Sequence, residues 1–171
     1  HLVELHGGSA TVSSEGSNRG SRFTVSLPRA EPAPPLAVPV LNPTAPGRLR
    51  VLVVDDNQDA VNMLAALLRV MKQEGHKAND GEQAVEMAEQ LRPDLILMDI
   101  GMPRMNGHEA CRKIREQKWG QAITMAALTG WGQDEDKALS RESGFDLHFV
   151  KPIDTKALEK LVQDLLHEKQ Q

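Results

Sequence analysis

The sequence predicts a doubly wound parallel α/β domain behind a short front piece, on three observations. From Arg48 to Gln171, short apolar β-rich runs alternate with stretches of helical period. Seven of the ten prolines fall between Pro28 and Pro46, in a stretch with no amphipathic period, so residues 29–47 read as a tether between a front piece, residues 1–28, and a block, residues 48–171. Acidic, hydroxyl and ammonium side chains close the apolar runs of that block. In a chain of 171 residues, only the block is long enough to bury a core.

Taken in order, Leu2 to Gly8 reads as a helix end stopped by glycine. Ser9 to Ser13 and Ser21 to Leu27 read as two strands of a hairpin around Glu15 to Gly20. A hairpin without its sheet is marginal in water. In the block, Leu49 to Val54 is a buried strand, followed by Val61, Leu64, Ala65, Leu68 and Met71 at helical spacing. A strand is then needed before Gly81, and Glu74 to Ala78 is the only candidate. Gly75 and its polar neighbours suit a weak edge strand, short or frayed. Leu95 to Met98, Ile123 to Leu128 and Phe145 to Val150 read as three further buried strands, and His108 to Ile114 as a helix. Asp154 is a candidate N-cap for a last helix with an apolar stripe of Leu158, Leu161, Val162, Leu165 and Leu166. This alternation means five βα units and a parallel sheet covered on both faces.

Composition removes several function classes. The formal net charge of −4 lies wholly in the block, since residues 1–47 hold three acidic and three basic side chains. No basic stripe is present, so nucleic acid is not an expected partner. No apolar run approaches the roughly 20 residues needed to cross a bilayer, so no membrane contact by this chain is expected. Cys111 is the one cysteine, which excludes a disulfide framework and a paired-thiol metal site. It reads as a small, partly buried helix residue, compatible with a reducing cytoplasmic location.

In an open parallel sheet, ligands bind outside the carboxyl ends of the strands, where strand order reverses. The ends here carry Asp55 and Asp56, then Asp99, Thr129 and Lys151 followed by Pro152. Singly, each has a plainer role: Asp55 and Asp56 as helix caps, Asp99 as a loop start, Thr129 as a backbone partner, Lys151 as a solvated charge. Together they make a hard-cation site with room for a phosphate-sized group. Three crowded carboxylates raise one another's pKa unless a divalent cation sits among them, and Mg²⁺ fits carboxylate oxygen. Asp99 then stays ionised as a carboxylate nucleophile able to form an acyl phosphate. Lys151 and Thr129 are placed to stabilise the transferring group.

Val53 to Asn57, Leu97 to Gly107, Ala127 to Gly130 and Phe149 to Pro152 together resemble the receiver domain of two-component phosphorelays, over the whole block. The resemblance implies a flavodoxin-like (βα)5 fold with strand order 2-1-3-4-5. It implies Asp99 as phosphoacceptor, and Mg²⁺ held by Asp55, Asp56, Asp99 and the Gly101 carbonyl. It further implies Thr129 as the switching hydroxyl, Lys151 as the phosphate partner and a cis peptide before Pro152. His148 stands at the aromatic switch position, as a second switch residue or as an exposed strand histidine. Gly101 and Trp131 occupy the positions that tune phosphoaspartate hydrolysis in the family. A bulky Trp131 would shield the acyl phosphate and lengthen its life; alternatively it is an exposed loop residue on a partner surface.

The front piece, in its Leu2 to Gly8 and Gly20 to Pro28 portions, resembles the last helix turn and terminal hairpin of a histidine-kinase ATP-binding domain. The nucleotide-binding segments of such a domain are not in this sequence. The expected parent is therefore a hybrid sensor histidine kinase, with membrane anchoring left open and output through a partner or kinase feedback. Expected partners are a histidine kinase or a histidine phosphotransfer domain, and a second copy across the fourth helix, final strand and final helix of the block. Two competitors remain: a Mg²⁺-dependent aspartyl-phosphate phosphatase and a degenerate receiver serving only as an interaction module. Such phosphatases resemble one another in a second Asp two residues after the nucleophile, where this chain has Gly101. All five site positions are filled, which opposes the degenerate reading.

Overall fold

Alternation within the strands determines the layers of the block. The computed structural model describes residues 2–5, 7–16, 19–26, 28, 47–130 and 134–169. The chain divides into two units, His1–Val38 and Pro39–Gln171. In the second, β3 (Arg50–Val54), β4 (Glu74–Ala78), β5 (Leu95–Asp99), β6 (Thr124–Thr129) and β7 (Leu147–Val150) form one parallel sheet in the order β4-β3-β5-β6-β7. Numbered within the block, this is the expected order 2-1-3-4-5. Side chains of neighbouring strand residues point to opposite faces. Leu52, Val54, Ile96, Met98 and Ala127 accordingly pack on one side with α3 (Gly81–Leu91) and α4 (Gly107–Glu116). Val51, Val53, Leu95, Leu97 and Leu128 pack on the other with α2 (Gln58–Val70) and α6 (Thr155–Glu168).

Each of these helices begins at a polar cap. Asn57 accepts from the amides of Asp59 and Ala60, Asp80 from Gln83, and Asp154 from Lys156. Asn106 and Glu109 form a reciprocal capping box. Asp154 caps as its sequence position suggests. Asn57, not Asp55 or Asp56, caps α2.

Three expectations change. β4 is neither short nor frayed: all five of its residues pair with β3. The missing Gly75 side chain is matched by close packing, since a Cβ there would meet Ala65 and Leu68 at ordinary contact distance. The fourth apolar run is not a buried strand throughout, because β7 is an edge strand, paired among the described residues with β6 alone, and exposes Leu147 and Val150. Phe145 precedes it, buried edge-on against His108. Cys111 is fully buried, and desolvation pushes its thiol up to about 12 despite the nearby Arg115. It is a core residue.

In the first unit, α1 (Leu2–Leu5) is followed by Gly7 at φ +69°, whose amide returns to the Glu4 carbonyl. β1 (Ser9–Ser14) and β2 (Ser21–Ser26) then pair antiparallel, with Val12 opposite Phe23 and Ala10 opposite Val25. No helix among the described residues is long and apolar enough to cross a membrane.

Candidate functional site

Strand order decides where the site sits. The chain lays β4 on one side of β3 and then returns to lay β5 on the other, so a crevice opens at the carboxyl ends of β3 and β5. β3 runs into Asp55 and Asp56, β5 ends on Asp99, β6 ends on Thr129, and β7 runs into Lys151. Oxygens of Asp55, Asp56 and Asp99 lie within 4.8 Å of one another. Asp55 and Asp99 are buried and Asp56 is exposed.

Lys151 ties the cluster together. Its Nζ donates to Asp55 Oδ2 at 2.6 Å and lies 2.8 Å from Asp99 Oδ1. Asp55 Oδ1 accepts from the Asn57 amide at 2.9 Å. Burial by itself lowers the Lys151 pKa, but the hydrogen bonds and charges of Asp55 and Asp99 outweigh it and hold the ammonium above the ordinary lysine value. Lys151 is thus not a solvated surface charge. The Lys151–Pro152 peptide is cis.

One ammonium against three carboxylates leaves two negative charges at the crevice. The donors are all oxygens. Gly101 lies alongside, where a Cβ would come within 3.7 Å of Asp99 Oδ2. Charge, donor type and space together fit a hard divalent cation such as Mg²⁺.

Thr129 is 7% exposed, and its Oγ1 is 3.0 Å from His148 Nε2. His148 Nδ1 is in turn 3.5 Å from Oγ of the buried Ser140 in α5 (Asp134–Glu142). His148 is half-buried and in contact with Thr129, so it is not merely an exposed strand residue. Sequence reasoning missed Ser140 and the Asn57 cap. An Asn directly before a helical run was a usable signal for the cap. Nothing marked Ser140, whose role depends on how α5 lies against β7. Trp131 lies outside the described residues.

Close approaches fix the loop after Asp99. A Cβ on Gly107 would stand 2.4 Å from the Asp99 carbonyl oxygen, and one on Gly81 would stand 2.5 Å from that of Met105. The Gly107 amide donates to the Ile100 carbonyl, and the Ile100 amide to that of Leu128. β5 therefore enters α4 through a turn with no room for a side chain at Gly107, and the loop packs on α3 with none at Gly81.

Against known proteins, residues 51–163 match the response regulator receiver domain family. PilH of Pseudomonas aeruginosa is 33% identical over 68% of this chain and 97% of its own length. The receiver domain of sensor histidine kinase PA1611 from the same species, solved with magnesium coordinated in its active-site cleft, is 31% identical with TM-score 0.65, covering 70% of this chain and 98% of that one. A co-crystal of the Saccharomyces cerevisiae histidine phosphotransfer protein Ypd1 with the receiver domain of Ssk1 matches at 27% identity and TM-score 0.66, over 71% of this chain and 91% of that one. The chain spans about half the length (48%) of curated transcriptional regulators that it also matches.

Proposed function

Given that the chain belongs to the response regulator receiver family and is a receiver domain of two-component signalling, we propose that it takes a phosphoryl group from a phosphohistidine onto Asp99. The observation carrying this reading is the Asp55–Lys151–Asp99 cluster at the point where strand order reverses. In the transfer, an Asp99 carboxylate oxygen attacks phosphorus and the P–N bond of the donor breaks. Its electron pair returns to the imidazole, and an acyl phosphate remains on Asp99. Asp55, Asp56, Asp99 and the Gly101 carbonyl would hold Mg²⁺, which supplies positive charge to the phosphoryl oxygens.

The chain's own residues do the rest. Lys151, already beside Asp99 Oδ1, moves its ammonium from carboxylate to phosphoryl oxygen. Thr129 exchanges its contact with His148 for a phosphoryl oxygen, and the released His148 carries the change towards α5.

The partner is a histidine kinase or a histidine phosphotransfer domain. Exposed Leu139, Leu147 and Val150 on α5 and β7 support a homodimer across α5, β7 and α6, the fourth helix, last strand and last helix of the block. The helix end and hairpin of residues 1–28 support a hybrid histidine kinase as parent protein, with residues 29–47 as tether and the receiver in the cytoplasm. Gly101 leaves a phosphatase without its general acid.

Intrinsic fluorescence tests the site, because the chain has no tyrosine and only two tryptophans, one of them two residues after Thr129. Adding Mg²⁺ and then beryllofluoride should change the emission, and Asp99→Asn should abolish the beryllofluoride response. An equal response in Asp99→Asn would place the acceptor elsewhere.

A further inference from the structure

We propose that Arg104 is a positioning residue for the acceptor site, latching the loop after Asp99 to the N-terminus of α3 through Asp80; this rests on the cation site proposed above. Arg104 Nη2 donates to Asp80 Oδ2 at 2.5 Å, across 24 residues of sequence. Asp80 Oδ1 meanwhile accepts from the Gln83 amide at 2.8 Å, capping α3. One carboxylate therefore serves the helix with one oxygen and the acceptor loop with the other. Arg104 adopts φ +67°, the left-handed conformation that a residue with a side chain rarely takes. From there its guanidinium reaches back to α3.

The surroundings argue that this contact is more than a solvated surface pair. The Asp80 side chain is only 20% exposed, although that of Arg104 is 66% exposed. The next residue, Gly81, lies so close to Met105 that no side chain fits between them, so the loop is seated on the first turn of α3. Elsewhere the loop is fastened by backbone hydrogen bonds, Ile100 to Leu128 and Gly107 to Ile100, and by the side chains of Asn106 and Glu109 at the start of α4. The Arg104–Asp80 pair is the side-chain hydrogen bond that ties the loop to α3 rather than to α4. Gly101 stands between Asp99 and this latch, so loosening the loop at Arg104 loosens the carbonyl assigned to the cation.

The test is calorimetric Mg²⁺ titration of the full chain, combined with amide hydrogen exchange of the loop without added metal. Arg104→Ala should speed exchange at Met105 and Gly107 and weaken Mg²⁺ binding about three- to fivefold, the range open to one partly exposed ion pair. Asp80→Asn keeps an oxygen to cap α3 but loses the charge, and should weaken Mg²⁺ binding similarly. The double variant should bind no more weakly than either single one, because both remove the same pair. Arg104→Lys should recover most of the affinity. Faster exchange with unchanged Mg²⁺ affinity would make the pair merely structural and overturn the proposal, as would additive losses in the double variant. If the wild-type chain does not bind Mg²⁺, the cation site itself fails; if it binds and the variants bind equally, the latch alone fails.

Discussion

Lys151 contacts the two buried carboxylates that the proposed Mg²⁺ site also uses, so on that proposal its ammonium and the cation compete for Asp55 and Asp99. Lys151→Met should therefore tighten Mg²⁺ binding while sharply slowing phosphoryl acceptance; calorimetry and a phosphorylation time course read the two effects separately. The pH dependence has a definite sign. The folded-state pKa of Lys151 is raised, so its contribution to stability is complete below the ordinary lysine value of about 10.4 and is lost as pH rises through the folded value. Urea unfolding should show an alkaline loss of stability in the wild type that is smaller in Lys151→Met. Residue types alone made this group legible, because carboxylates, a hydroxyl and an ammonium at strand ends are unusual where apolar residues end most buried runs. The pairing of Lys151 with both carboxylates was not legible, since it depends on side-chain directions across three strands. Nor was the chain from Thr129 through His148 to Ser140, which joins β6, β7 and α5.

At the scale of elements, β5 and the helix after it, α4, are joined through Gly107. Its missing side chain leaves room for the Asp99 carbonyl, which a Cβ would approach to 2.4 Å. Gly107→Ala must push the backbone of Asp99 or the start of α4 aside, and should cost roughly 1–3 kcal/mol of stability, measured by urea denaturation, with weakened Mg²⁺ binding. Gly75→Ala should be mild by comparison, because its Cβ would meet neighbours at 3.6 Å or more. The two glycines look alike in sequence, and only the packing around them separates a demanding position from a tolerant one. The same limit applies to the strands. The apolar runs located β3, β5 and β6 to within a residue or so, because both faces of each are buried. β4 and β7 are edges of the sheet, where pairing with a neighbour rather than burial fixes the strand. Hydrophobic pattern therefore understated β4 and overextended β7.

For the whole molecule, two apolar clusters on opposite sides of one sheet hold the strand ends in register, while the hairpin of the front unit exposes Val12, Phe23 and Val25. A chain beginning at residue 48 is expected to fold and bind Mg²⁺ as the full chain does, checked by circular dichroism and calorimetry; loss of either would show that the site needs the front unit. Ligand linkage gives a second expectation. Mg²⁺ at one hundred times its dissociation constant should add about 2.7 kcal/mol of stability, and Asp99→Asn should reduce that gain. The central claim is that Asp99 becomes an acyl phosphate. Incubating the full chain with Mg²⁺ and a phosphohistidine donor, trapping the product with borohydride and mapping the peptides by mass spectrometry tests it most directly. Reduction to homoserine at position 99 is the predicted result; a phosphorylated chain with the trapped residue elsewhere, or no trapped residue with a competent donor, would contradict the account.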